Sequence, residues 1–405
     1  MQKRILFLGG SYFQLSPILY AKQQGHYVIT CDYLPDNPGH RYSDEYHNVS
    51  TTDQEAVLQL ARRLSINGII AYASDPSAPT AAYVANRLHL PGNAYQSTLL
   101  LTRKDRFREF LGQNRFNVPL WASTSSLTET QDYFKSINRP VMVKPVDSSG
   151  SKGVSRVTDA KELPAAYEHA LSFSRIGKVI LEEYIERKGY QIAGDGFVLD
   201  GRLVFRCFAQ EHFNRSRNLF VPVGESFPLQ LPQATHDKIH KEIQRLLSLL
   251  EMQVGAFNFD IVLDQKEEIY LLEIGPRSGG NLISEVIKYS TGIDIAKFAV
   301  DAALNLDYSQ LAPYPVAMCC SCYMLHTQEN GFLKGIEFDP SIRTNIIEKI
   351  LFVKKGTFVQ SFESANHALG CLILKFDSPE EMLEKMESMT ERVRVKVTKE
   401  PTLSA

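Results

Sequence analysis

Short apolar runs and helical patterns alternate over the first 95 or so residues: ILFLGG then SPILYAKQQG, YVITCDY then EAVLQLARRLSI, GIIAYASD then APTAAYVANRLHL. Strand followed by helix, repeated, predicts a parallel sheet with helices on both faces and ligands at the strand ends. The expected fold class is α/β, with α+β stretches farther along. A chain of 405 residues exceeds one ordinary core and predicts roughly two to four domains.

Gly9-Gly10 after the first strand and Asp32 after the second imitate a dinucleotide fingerprint, but Ser11 and Gln14 stand where Gly-x-Gly-x-x-Gly needs glycine. A loop at the edge of a substrate site fits better than a nicotinamide cradle. The basic, apolar N-terminus is broken at Gly9-Gly10-Ser11 and reads as a buried strand rather than a leader. No run approaches the roughly 18 apolar residues of a membrane helix, so a soluble, cytoplasmic protein is expected, with no membrane partner. Lys and Arg total 44 against 46 Asp and Glu, a balance that disfavours a nucleic-acid partner. Cys319, Cys320 and Cys322 lie in VAMCCSCYMLH without a Cys-x-x-Cys pair and are expected to be small core thiols rather than metal ligands.

Farther on, STLLLTRKDRFREFLGQNRFNVP predicts an amphipathic helix with Lys104 near its start. VMVKPVDSSGSKGVSRV, residues 141 to 157, predicts two strands joined by small residues. Ser148, Ser149, Gly150, Ser151 and Gly153 allow backbone N–H groups to approach a polyanion, and Lys152 adds charge to that concavity. This is not a Walker A loop, because Lys152 precedes a glycine and a strand rather than Ser or Thr opening a helix. Lys144, on the first strand, is placed to meet a nucleotide as a point charge. ILEEYIE offers the backbone of Glu182, Glu183, Tyr184 and Ile185 to an adenine edge. FNFDIVLD and YLLEIGPR put Asp260 and Glu273 on neighbouring strands, a carboxylate pair suited to Mg²⁺ shared with substrate phosphates. Singly, each feature has a plain account: a flexible hairpin, a strand-end Asp260, a surface Glu273–Arg277 pair worth little. Their order along one chain carries the weight.

In that order the sequence resembles the ATP-grasp superfamily of carboxylate–amine ligases, over nearly its whole length. The group concerned contains biotin carboxylase, carbamoyl-phosphate synthase, purine-pathway ligases and L-amino acid ligases. The resemblance implies an ATP-grasp fold in three parts: a Rossmann-like pre-ATP-grasp domain over 1–95, an ATP-grasp domain over 96–310 with a mobile lid at about 125–185, and a small α+β C-terminal domain over 311–405. It implies Lys104 and Lys144 as nucleotide-binding lysines, Ser148 to Gly153 as the phosphate loop, and residues 182–185 as the adenine hinge. Asp260 and Glu273 are implied as metal ligands. Arg277 and Lys152 are implied as catalytic cations, Arg277 acting on charge at the transferring phosphoryl group or the reacting carboxylate.

Two positions depart from the pattern. Gly275 stands where the family's Glu-x-Asn-Pro-Arg motif has asparagine, with Asn281 or a water as a substitute ligand, and Gly189 stands where the family often has a ribose-binding glutamate, with Asp195 a weak substitute. The implied cofactors are ATP and Mg²⁺, with Mn²⁺ as an alternative. The implied activity is phosphorylation of a carboxylate to an acyl phosphate followed by capture by an amine. Small-molecule carboxylates and amines are therefore the expected partners, and a homodimer is left open. Acceptor recognition is expected from Gly10, Ser11 and Asp75 and from Arg206, Arg215 or Arg217. Phosphoribosylamine–glycine ligation or another purine-pathway reaction, carbamoyl-phosphate-type chemistry, a regulatory ATP binder without catalysis and, distantly, a dehydrogenase are the competing functions.

Overall fold

Ile5, Leu6, Phe7 and Leu8 are each at most 1% exposed, as a strand covered on both faces requires. Strand Arg4–Leu8 lies between Tyr27–Cys31 and Gly68–Ile70, with Glu45–His47 at the edge, in a four-stranded parallel sheet. Helices Leu15–Gln23 and Gln54–Arg63 connect the strands, and helix Ala78–Leu88 follows the last of them. This is the expected α/β unit. The computed structural model describes residues 1–214, 219–307, 310–311 and 317–400.

Gly9-Gly10 proves to be a packing device. A Cβ on Gly9 would meet the Gln14 amide at 2.8 Å, and one on Gly10 would meet the His40 ring at 2.4 Å. Gln14 closes the loop by accepting from Ser11 N–H at 2.7 Å and donating to Tyr72 O at 2.9 Å.

The expected helix around Lys104 is two helices, Tyr95–Leu101 and Lys104–Gln113. The chain breaks at Thr102-Arg103 because the N–H of Lys104 is taken by Val146 O at 2.9 Å rather than by a helical carbonyl. That break fixes Lys104 at a helix start beside the strand carrying Lys144.

Strands Trp121–Thr124, Val179–Glu183, Val141–Pro145 and Ser155–Val157 form an antiparallel sheet in that order. Helices Leu127–Ile137 and Leu163–Ser172 accompany it. Val141, Val143, Leu163, Ala170 and Leu181 give this unit its own core. The hairpin is in register, Val141 opposite Val157 and Val143 opposite Ser155.

The largest element is an eight-stranded antiparallel sheet ordered Ile269–Gly275, Gly255–Leu263, Gln191–Leu199, Arg202–Phe213, Pro222–Phe227, Cys320–Leu325, Gly370–Lys375 and Ile346–Leu351. Residues before and after 310 therefore share one hydrogen-bonded sheet. The stretch 346–359 divides: Ile346–Leu351 joins this sheet, whereas Phe358–Val359 pairs with Gly331–Phe338 in a separate one. The hairpin between Gln191–Leu199 and Arg202–Phe213 turns at Asp200-Gly201, both with positive φ (49° and 74°), as a tight two-residue turn demands.

Alternation in FNFDIVL sorts the two faces of the large sheet. Phe257, Phe259 and Ile261 pack with Ile239, Ile243 and Leu246 of helix Gln233–Leu249, leaving Asn258 and Asp260 on the opposite face. Cys320 and Cys322 are buried in their strand; burial pushes the Cys320 thiol up to about 11. Among the described residues no helix is long and apolar enough to cross a membrane.

Candidate active site

A cleft of about 900 Å³ opens between the first sheet, the hairpin unit and the polar face of the large sheet. Asp260 and Glu273 stand directly opposite each other on paired strands, and both line it. Burial, and then repulsion from Glu273, push Asp260 up to about 7. Like charges in direct opposition destabilise a sheet, and a cation between them relieves that. Among the described residues, however, no three His, Cys, Asp or Glu side chains are grouped to hold an ion. The pair suits a divalent cation that draws its other ligands from phosphate and water.

Cations face these carboxylates. Lys104 Nζ lies 3.0 Å from Glu273 Oε2 and donates to Ser148 O at 2.8 Å. Burial alone would lower Lys104, but Glu273, together with Asp75 and Glu182, outweighs it and holds the ammonium above the usual lysine value. Lys144 Nζ donates to Glu182 Oε2 at 2.7 Å, a diagonal contact set by the pairing of Met142 with Glu182. The other Glu182 oxygen lies 2.7 Å from Arg108 Nε, a contact held by charge, since that N–H is not aimed for a hydrogen bond. Arg108 also donates to Leu271 O and Leu272 O at 3.3 and 2.8 Å. Burial would raise Glu182, yet Arg108 and Lys144 together hold it at about 2. This buried triad fastens helix Lys104–Gln113, the hinge strand and the Glu273 strand together.

Glu182, Glu183, Tyr184 and Ile185 all line the cleft. The Glu183 and Tyr184 N–H groups donate to Leu120 O and Pro140 O at 2.8 and 2.9 Å, the Glu183 carboxylate pairs with Arg139, and Arg156 lies 4.1 Å over the Tyr184 ring. Ser148, Ser149, Gly150, Ser151 and Lys152 line the cleft too. Ser151 Oγ donates to Phe220 O at 2.7 Å, bridging the loop to the larger half. Burial, and then Arg175, lower Lys152. Gly153 faces away: at φ 70° its Cβ would meet Phe173 at 3.0 Å and the Ala170 backbone at 3.2 Å. Its part is to let the hairpin lie close against a helix.

Arg277 grips Asp75 as a fork, Nε to Oδ1 at 2.7 Å and one terminal nitrogen to Oδ2 at 2.5 Å. Burial would lower Arg277, but Asp75 raises it further. Gly275 is what admits this fork, because a Cβ there would lie 2.9 Å from Asp75 Oδ1 and 3.2 Å from the guanidinium carbon. Gly275→Asn is expected to displace the pair and lower the denaturation midpoint by the equivalent of about 1–3 kcal/mol. An unchanged midpoint would mean that the fork moves aside freely.

Other expected residues fall elsewhere. Asn281 and Ser11 line the cleft. Asp195 is fully buried, where burial raises its carboxyl to about 6 while Gly279 N–H and Asn258 bind it; it orders the turn after Arg277 instead of meeting a ribose. Arg206 is not an acceptor residue: it alternates onto the far face and pairs with Asp237 at 3.2 Å. Arg215 and Arg217 lie outside the described residues. Arg108, Glu211 and Glu225 were not expected; the sequence signal for the last two is a single acid inside each apolar strand, FAQEHF and VPVGESF.

Residues 102–281 match the ATP-grasp domain family, spanning Lys104, the hairpin, residues 182–185, Asp260, Glu273 and Arg277. It is 32% identical over 190 residues to the formate-dependent phosphoribosylglycinamide formyltransferase of Thioalkalivibrio sulfidiphilus (strain HL-EbGR7), covering 45% of this chain and 47% of that one. It is 23% identical over 236 residues to the carbamoyl phosphate synthase large chain of Thermoanaerobacter sp. (strain X514), 57% of this chain but only 21% of that protein's length. The L-amino acid ligase structure from Bacillus licheniformis superposes over 98% of this chain and 99% of its own, with a TM-score of 0.82 at 21% identity. That likeness shows that the two chains share one fold, from the parallel sheet to the C-terminal strands.

Proposed function

We propose that this protein is an ATP-dependent carbon–nitrogen ligase, which phosphorylates a substrate carboxylate and couples the product to an amine. The observation that carries this is the opposed Asp260–Glu273 pair, set in one cleft with Lys104, Lys144 and the small-residue loop. Mg²⁺, with Mn²⁺ as an alternative, is the cation assigned to that pair; when bound with a triphosphate it supplies positive charge against the transferring phosphoryl group.

The chain's own residues do the positioning. Lys144 and Lys104 neutralise phosphate charge, and the Ser148–Lys152 loop covers the triphosphate and limits access of water. The hinge holds the base. Arg277, anchored by Asp75, sets a fixed positive charge beside the reacting carboxylate. A carboxylate oxygen then attacks the γ-phosphorus, and the bond from that phosphorus to the β–γ bridging oxygen breaks to release ADP. The amine nitrogen attacks the acyl carbon, the acyl carbon–oxygen bond breaks, and phosphate departs as the nitrogen loses a proton. Positioning and charge complementarity supply most of the rate.

Isotope transfer tests this mechanism. With an accepted substrate labelled with ¹⁸O in its carboxylate, one labelled oxygen is expected in each phosphate released. Phosphate free of label, formed together with amide, would exclude an acyl phosphate.

A further inference from the structure

Glu211 and Glu225 face each other in direct register across strands Arg202–Phe213 and Pro222–Phe227. Glu211 is two residues beyond Ala209, which lies in the same cross-strand row as Ala193 and Asp260, so alternation puts both acids on the cleft face. They are 5% and 4% exposed, and both line the cleft. Glu211 accepts from Gln191 Nε2 at 2.6 Å. Glu225 Oε2 is buried without a hydrogen-bond partner. A buried carboxylate with an open oxygen, placed opposite a second acid, is costly unless a cation fills the space. Arg277 acts on Glu225 from the turn after strand Ile269–Gly275, but its fork is committed to Asp75.

We propose that Glu211 and Glu225 form the subsite for a protonated amino group of the substrate. This proposal rests on the ligase function and names a substrate class for it: compounds carrying a free amine. An organic ammonium fits better than a second metal ion. Mg²⁺ needs several oxygens at about 2.0–2.1 Å, and no three acidic, His or Cys side chains are so grouped among the described residues. An ammonium directs three N–H donors to oxygens about 2.7–2.9 Å away, which two facing carboxylates and one open oxygen supply.

The test uses the full chain with Mg-ADP at pH 7 and two probe pools: free L-amino acids with glycine, and the same compounds N-acetylated. Acetylation removes the positive charge and keeps the carboxylate and side chain. The free pool is expected to raise the melting temperature and the acetylated pool to leave it unchanged. Glu225→Gln is expected to weaken the stabilising compound at least about tenfold. Its own melting temperature, at or above the wild-type value because burial and the neighbouring carboxylates already penalise the charged form of Glu225, shows that it folds; if it melts lower, Glu211→Gln carries the same test. Equal shifts from both pools, full affinity in the glutamine variant, or no shift from free amino acids in a protein that Mg-ADP stabilises would each overturn the amine subsite alone. Failure of Mg-ADP to stabilise the wild type would instead overturn the ligase function, and the subsite with it.

Discussion

Glu182→Gln is expected to destabilise the protein by about 3–5 kcal/mol, because it leaves the charges of Arg108 and Lys144 in the interior without their shared counter-ion. Arg108 is 1% exposed, so water cannot replace the lost carboxylate. A depression of the Glu182 carboxyl from 4.5 to about 2 corresponds to stabilisation on the order of 3 kcal/mol, in agreement. Against a typical total of about 5–15 kcal/mol, such a loss is easily read as a shift in the urea midpoint. The sign with pH follows from a depressed carboxylate: the stabilisation is complete above about 4.5 and is lost as the pH falls toward about 2. The gap between wild type and variant should therefore be constant from pH 8 to 5 and close below that. Removing Arg108 as well, in Glu182→Gln with Arg108→Gln, should recover part of the loss, since the cost lies in the unpaired cations. A simple sum of two destabilisations would refute the triad as the cause.

Asp260→Asn is expected to have opposite effects on stability and turnover. The amide removes a like charge facing Glu273, so the unliganded protein should melt at a higher temperature. Under the proposed ligase function, loss of the carboxylate assigned to the cation should reduce Mg-ATP turnover by a factor of about 10²–10⁴, from several kcal/mol of lost charge stabilisation. More stability with less activity is a recognised trade at functional sites. A variant with both properties unchanged would mean that Asp260 is a strand residue of no functional weight.

How much of this was legible before folding depended on whether a residue's partners were close in sequence. The alternation of FNFDIVL already separates Asp260 from the apolar face, and the apolar Arg4–Leu8 strand already requires cover on both sides. The hairpin over 141–157 was equally readable, because two apolar runs flank a stretch of small residues close in sequence. Arg108 was not: in an amphipathic helix an arginine is ordinarily a solvated residue, and its burial depends on Glu182, 74 positions later, which arrives by tertiary packing. Glu211 and Glu225 become a pair only through strand register. The break at Thr102-Arg103 also depends on a distant partner, the Val146 carbonyl. Gly275 read as a missing metal ligand, yet its lack of a side chain is what lets Asp75 and Arg277 meet, a contact between residues 202 positions apart.

The central claim, that this cleft transfers phosphate from Mg-ATP to a carboxylate, is tested most directly by phosphate release from Mg-ATP. The purified protein would be assayed with and without pooled amino acids and small carboxylates, bicarbonate included, beside Glu273→Ala. Release stimulated by the pool and abolished in Glu273→Ala is the predicted result. A protein that binds no ATP, or one whose release is the same in Glu273→Ala, would contradict it.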